Sequence, residues 1–177
     1  IYQMEKARRM DITEEDYYDI IKRKTASLIA SCCVLGALSV NADEIQVERM
    51  KQFGTSVGIA FQIKDDIFDY YASDELGKPT GNDMKEGKLT LPSLYVLNTL
   101  KDESTMALAL KIRALEADDK EIAQFIEYVK ANGGIEYAIQ TMTDYRNKAL
   151  EVLPQTLPQE LKDALTAYID FVIERKK

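Results

Sequence analysis

The strongest constraint on the fold is the spacing of the apolar residues, which recur every three or four positions along most of the chain. That period is the signature of amphipathic helix, and the alternation expected of strands is nowhere sustained. Eight glycines and four prolines in 177 residues leave long stretches free of helix breakers. Thr13 with Asp16 three residues on reads as an N-cap pair opening a helix that runs to about 40. Asn41 with Glu44 repeats the signal and opens a second helix to about 71. Gly77, Pro79, Gly81 and Gly87 mark 73–90 as the one long loop. Helices are expected at roughly 91–101, 103–116, 119–131 and 135–152, and a last one follows Pro154 and Pro158. Asn132, Gly133 and Gly134 close the third of these. The expectation is an all-α chain forming a single domain over 1–177.

Composition narrows the functions such a bundle can serve. A net charge of −7 argues against nucleic acid as a partner, because phosphate backbones call for a basic footprint. Histidine is absent, so a metal ion would be held by oxygen ligands, which favours a hard ion such as Mg2+. Cys32 and Cys33 are adjacent and do not easily bridge each other, a usage that fits a reducing cytoplasm. No apolar run is long enough to span a membrane, and there is no signal peptide.

Three short segments concentrate the chemistry. The first is Asp65, Asp66 and Asp69. With Asp65 as origin, Asp69 falls about 40° away and Asp66 about 100° away around the helix. Gly58, Gln62 and Thr55 share that polar side, and Val57, Ala60, Phe61, Ile67 and Phe68 take the other, with Lys64 among them. Carboxylates crowded within a turn repel one another, and a divalent ion would remove that cost. The DDxxD pattern is short enough to arise by chance in so acidic a chain, so a solvated acidic face also fits it. The second segment is Lys24-Thr25, which points with the stripe Tyr17, Ile21, Leu28, Cys32 and Leu35. An inward lysine needs an anion, either a protein carboxylate or a substrate phosphate. The third is the glycine- and lysine-rich stretch at 77–88, which suits close approach to a phosphate or, equally, a plain flexible loop. It is not a Walker loop.

Taken in order, Lys24-Thr25, Phe61-Gln62 followed by Asp65-Asp66-Ile67-Phe68-Asp69, and GKPTGNDMKEGKLTLP at 77–92 resemble the second half of the trans-isoprenyl diphosphate synthases. Within this polyprenyl synthetase family the likeness is to the long-chain bacterial type, such as octaprenyl diphosphate synthases. The resemblance implies an antiparallel helical bundle of the isoprenoid synthase type, incomplete at its N-terminus. It implies that Asp65, Asp66 and Asp69 form the second aspartate-rich motif, acting on Mg2+ directly or through its waters. Lys24 and Lys78 would contact an allylic diphosphate. Thr25 and Gln62 would lie along the path of the developing cation. Asp83 and Lys88 would belong to a mobile loop over 73–90 that orders above the site, with Lys88 another diphosphate contact. The implied reaction joins the allylic diphosphate head to tail with isopentenyl diphosphate, giving a polyprenyl diphosphate that can partition to a membrane.

The departures are as informative. The family's first aspartate-rich motif and its isopentenyl diphosphate-binding basic residues are expected before Gln3, so the chain reads as about half of an enzyme, inactive alone. Asp118-Asp119 lacks a third carboxylate. Two other readings stay open: a non-catalytic partner subunit of the same family, and a helical interaction module with a solvated acidic stripe. Loss of the N-terminal neighbours would leave apolar faces uncovered on the first two helices, so association into a homo-oligomer is expected.

Overall fold

The computed structural model describes residues 13–71 and 80–175, and every regular element among them is helical. The helices are α1 (Glu14–Ile21), α2 (Ser27–Ser39), α3 (Glu44–Phe68), α4 (Asn82–Lys85), α5 (Leu91–Leu100), α6 (Glu103–Arg113), α7 (Asp119–Ala131), α8 (Gly134–Glu151) and α9 (Gln159–Glu174). A π-helical turn, Lys22–Ala26, joins α1 to α2. The expected all-α architecture is what forms. The start of α3 and the continuity of the first helix differ from the expectation, and a one-turn helix, α4, lies inside the segment read as loop.

The start of α1 follows the sequence. Thr13 Oγ1 accepts the Asp16 amide at 3.2 Å, and Asp16 Oδ2 accepts the Thr13 amide at 3.3 Å, so each satisfies an amide the helix cannot. The start of α3 does not. Asn41 is in the left-handed region (φ 55°) and its amide bonds back to Leu38. Asp43 caps α3 instead, its Oδ1 accepting the Gln46 amide at 2.8 Å. Asn41 tolerates a positive φ better than most residues, which suits it to ending a helix rather than opening one.

The larger departure is the π turn. The sequence stripe assumed α-helical spacing from Tyr17 to Leu35. Tyr17 and Ile21 are buried, and Leu28 and Leu35 are 69% and 65% exposed, in line with the expectation of uncovered apolar faces. The buried residues run Tyr17, Ile21, Ala26, Ala30 and Ala37, with a step of five across Lys22–Ala26. A π turn accommodates one extra residue, so everything beyond it rotates relative to an uninterrupted helix. Lys24, read from the sequence as pointing with the apolar stripe, lies within the turn itself and is exposed.

The chain divides into two compact units. Among the described residues the first comprises 13–18, 65–71 and 80–139, and the second 19–64 and 140–175. In the first, α6 packs on α7 and α4, and α5 packs on α7. Ile112, Phe125, Val129 and Leu91 are almost wholly buried there. Asp118 caps α7 reciprocally: its Oδ1 accepts the Glu121 amide at 2.8 Å, and Glu121 Oε2 accepts the Asp118 amide at 3.0 Å. That pair of aspartates is therefore a helix start, in line with its exclusion as a metal motif.

The second unit has a core of Phe53, Val57, Ala149, Leu153, Ile169 and Val172. Here the π turn and α2 lie close against α3. A Cβ on Gly58 would fall 2.4 Å from Ala26 Cα, and one on Gly54 would fall 2.7 Å from Ala30 Cα. The five-residue step places Ala26 and Ala30 opposite these glycines, small residue on small residue. Among the described residues, no helix is long and apolar enough to cross a membrane.

Candidate functional site

The acidic stretch sits at the C-terminal end of α3, where the helix tightens. Asp69, Tyr70 and Tyr71 donate to the carbonyls of Asp66, Ile67 and Phe68, three residues back. Asp69 is the first residue past the helix, and its carboxylate turns to the segment that follows. Oδ1 accepts the Asn82 amide at 2.9 Å and Oδ2 the Asp83 amide at 3.0 Å. The Asp69 carbonyl accepts the Gly81 amide at 2.9 Å. Asp69 thus caps α4 from 13 residues away. Gly81 makes the geometry possible: its φ is 75°, and a Cβ there would meet Ile122 Cγ2 at 2.7 Å.

Asp66 points elsewhere. It is 3% exposed and accepts a hydrogen bond from the Tyr17 hydroxyl at 2.6 Å, within the range of a charge-assisted bond. Burial above all, then the Asp66 charge and this bond, hold the Tyr17 phenol well above its ordinary range. It therefore stays protonated and acts as the donor. Asp65 is half-buried. The three carboxylates do not converge: among the described residues no group of three acidic, histidine or cysteine side chains is arranged to hold a metal ion. Asp66 and Asp69 are engaged instead by the Tyr17 hydroxyl and by the first amides of α4.

The lysines divide in the same way. Lys88 is exposed and pairs with Glu86 and, at 3.8 Å, with Asp83; its amide bonds to the Asp83 carbonyl at 2.8 Å. The hydrogen bond to Glu86, followed by Asp83 and the more distant Asp66, raises its pKa against the opposing effect of burial. Lys85 pairs with Asp119 at 2.6 Å. Lys78 lies outside the described residues.

In the second unit the Thr25 hydroxyl donates to Gln62 Oε1 at 2.8 Å, joining the π turn to α3. Lys24 is the exposed neighbour of Thr25 in that turn. Arg175, the residue just past α9, sits over the Phe61 ring at 3.9 Å and donates to the Phe61 carbonyl. Burial, then the Arg175 charge, lowers the pKa of Lys64. Tyr17 was read from the sequence only as part of the apolar stripe. The usable signal was chemical: a tyrosine at a core position needs a partner for its hydroxyl.

Known proteins share this helical architecture. The polyprenyl synthetase family model matches residues 1–129. Heptaprenyl diphosphate synthase component 2 of Geobacillus stearothermophilus is 42% identical over 154 residues, 86% of this chain and 47% of that protein. A geranylgeranyl pyrophosphate synthase from Bacteroides thetaiotaomicron superposes with a TM-score of 0.90 at 45% identity, covering 98% of this chain and 57% of that one. A polyprenyl synthase from Caulobacter crescentus, solved with calcium and isoprenyl diphosphate, gives a TM-score of 0.87 at 27% identity, covering 99% and 56%. The chain spans about half the length of the curated relatives it matches. On its helical architecture, its motif order and these likenesses, the chain belongs to the polyprenyl synthetase family.

Proposed function

We propose that the chain carries the allylic diphosphate side of a prenyl-transfer site, which joins an allylic diphosphate head to tail with isopentenyl diphosphate. The observation that carries this reading is the family match across 1–129, which spans the acidic end of α3 and the segment fastened to it. The donor set of Asp65, Asp66 and Asp69 is all oxygen, which suits a hard ion whose remaining ligands come from diphosphate and water. Asp65 would hold such an ion directly, with Asp66 and Asp69 acting behind it through water. When bound, Mg2+ supplies positive charge to the departing diphosphate. Lys24, Lys78 and Lys88 are assigned to the diphosphate, and Lys88 would exchange its carboxylate partners for phosphate oxygens. Thr25 and Gln62, already hydrogen-bonded to each other, present fixed dipoles along the reacting chain. We assign the working form to a homo-oligomer. A non-catalytic subunit role is the second reading, favoured by the name of the component 2 relative.

Calorimetric titration with geranyl diphosphate tests the assignment. Binding is expected to require Mg2+ and to be lost in Asp65→Ala. Absence of binding at any Mg2+ concentration, or an equal response to Ca2+ without diphosphate, refutes it.

A further inference from the structure

Asp66 is the middle carboxylate of the acidic stretch and the least exposed of the three. A carboxylate withdrawn from water needs donors, and a side-chain donor the fold supplies is the Tyr17 hydroxyl, 49 residues earlier in sequence and buried with it in the same unit. The Asp69 carboxylate is held differently, by two backbone amides that any residue but proline at 82 and 83 would provide. The grip on Asp66 therefore depends on the identity of residue 17, a position outside every motif that carries the family likeness. We propose that Tyr17 is a positioning residue whose hydroxyl fixes the Asp66 carboxylate and, through it, sets the affinity of the site for a Mg2+–diphosphate. Tyr17 does not touch the ligand. Its hydroxyl holds one oxygen of Asp66, which locks the side-chain rotamer and keeps the negative charge at a set place behind Asp65. A tyrosine serving packing alone would have its ring in the core, and phenylalanine would replace it without effect on ligand binding. The inference rests on the reading of the site given under Proposed function.

Tyr17→Phe keeps the ring and deletes the donor, and Tyr18→Phe, whose ring lies edge-on to Tyr17 at 5.4 Å, is the control. Binding of inorganic pyrophosphate is measured by calorimetry over a series of Mg2+ concentrations on the 177-residue chain. In Tyr17→Phe the pyrophosphate Kd is expected to rise about tenfold, the lower end for a hydrogen bond to a charged group, and the half-saturating Mg2+ concentration to rise with it. Tyr18→Phe is expected to match the unsubstituted chain. A Tyr17→Phe chain with a lowered Tm but unchanged Mg2+ half-saturation overturns the proposal, because that is the signature of a packing role. If the unsubstituted chain binds no pyrophosphate, the reading of the site falls and this inference with it; normal binding that Tyr17→Phe leaves intact defeats the inference alone. Should Tyr17→Phe lose its helical circular dichroism, the Tyr17 hydroxyl proton of the unsubstituted chain gives the answer by NMR. It is expected to exchange slowly and to shift on adding Mg2+ and pyrophosphate, and a resonance that does not move overturns the proposal.

Discussion

Substituting Gly58 with alanine tests whether the close approach of the π turn to α3 is a requirement of the fold. The new Cβ would lie 2.4 Å from Ala26 Cα and 2.8 Å from Ala26 Cβ. Reaching an ordinary carbon–carbon contact of about 3.5 Å means a retreat of about 1.1 Å, and the obstacle is backbone, which cannot swing aside. Overpacking of this kind costs up to about 3 kcal/mol, and the better helix propensity of alanine returns about 1 kcal/mol. The net expectation is a loss of about 2 kcal/mol, or a Tm lower by about 4–8 °C for a chain of this size. Gly36→Ala is the internal control, since a Cβ there meets nothing within 4 Å and Gly36 lies inside α2. That variant is expected to gain up to about 1 kcal/mol. Differential scanning calorimetry reads both. The same displacement pulls on the Thr25–Gln62 bond, 2.8 Å long in the adjoining turn, so Gly58→Ala is also expected to weaken geranyl diphosphate binding. A Gly58→Ala chain as stable as Gly36→Ala refutes the close approach.

Three further outcomes are expected. Asp69→Ala removes the cap on α4 at a cost of about 1 kcal/mol, and amide hydrogen exchange at Asn82 and Asp83 is expected to accelerate while that of α7 is unchanged; equal protection before and after rules out the cap. Incubated alone with geranyl diphosphate, radiolabelled isopentenyl diphosphate and Mg2+, the 177-residue chain is expected to give no elongated product, because it spans about half of its relatives and positioned charges act as a unit; sustained turnover contradicts this. Leu28, Leu35, Val40 and Ile45 are all exposed on the second unit, so multi-angle light scattering at micromolar concentration is expected to report more than one copy per particle, and a strict 20.1 kDa monomer would exclude association.

Much of the helical layout could be read from sequence, because its signals are local. Thr13 with Asp16, Asp118 with Glu121, and the apolar period act within one or two turns and need no tertiary context. The π turn between α1 and α2 was missed for the opposite reason. The five-residue step at Lys22–Ala26 is set by where Gly54 and Gly58 lie on α3, some thirty residues on, and no pattern within α1 and α2 announces it. Thr25 and Gln62 came out together even so, since each was singled out by type and the fold joins them across 37 residues. Tyr17 was missed because its ring satisfies the apolar period completely, and only its hydroxyl betrays a second role.

The asymmetry of the three aspartates follows from helix geometry once the end of α3 is fixed. Asp65 and Asp66 are successive residues about 100° apart, so a face that presents one to a ligand turns the other toward the protein. In this chain the turned one is Asp66, and a buried carboxylate there is tenable only with a donor such as Tyr17 beside it. Asp69 would share the face of Asp65 if the helix continued. It ends at Phe68, the last amides pair three residues back, and Asp69 is released to reach Asn82 and Asp83. The spacing of the motif therefore separates the three side chains: Asp65 stays half-buried near the end of α3, Asp66 binds α3 to α1, and Asp69 ties α3 to α4. Repulsion among three like charges is relieved by sending two of them to separate donors, so the acidic stretch can fold before any cation arrives.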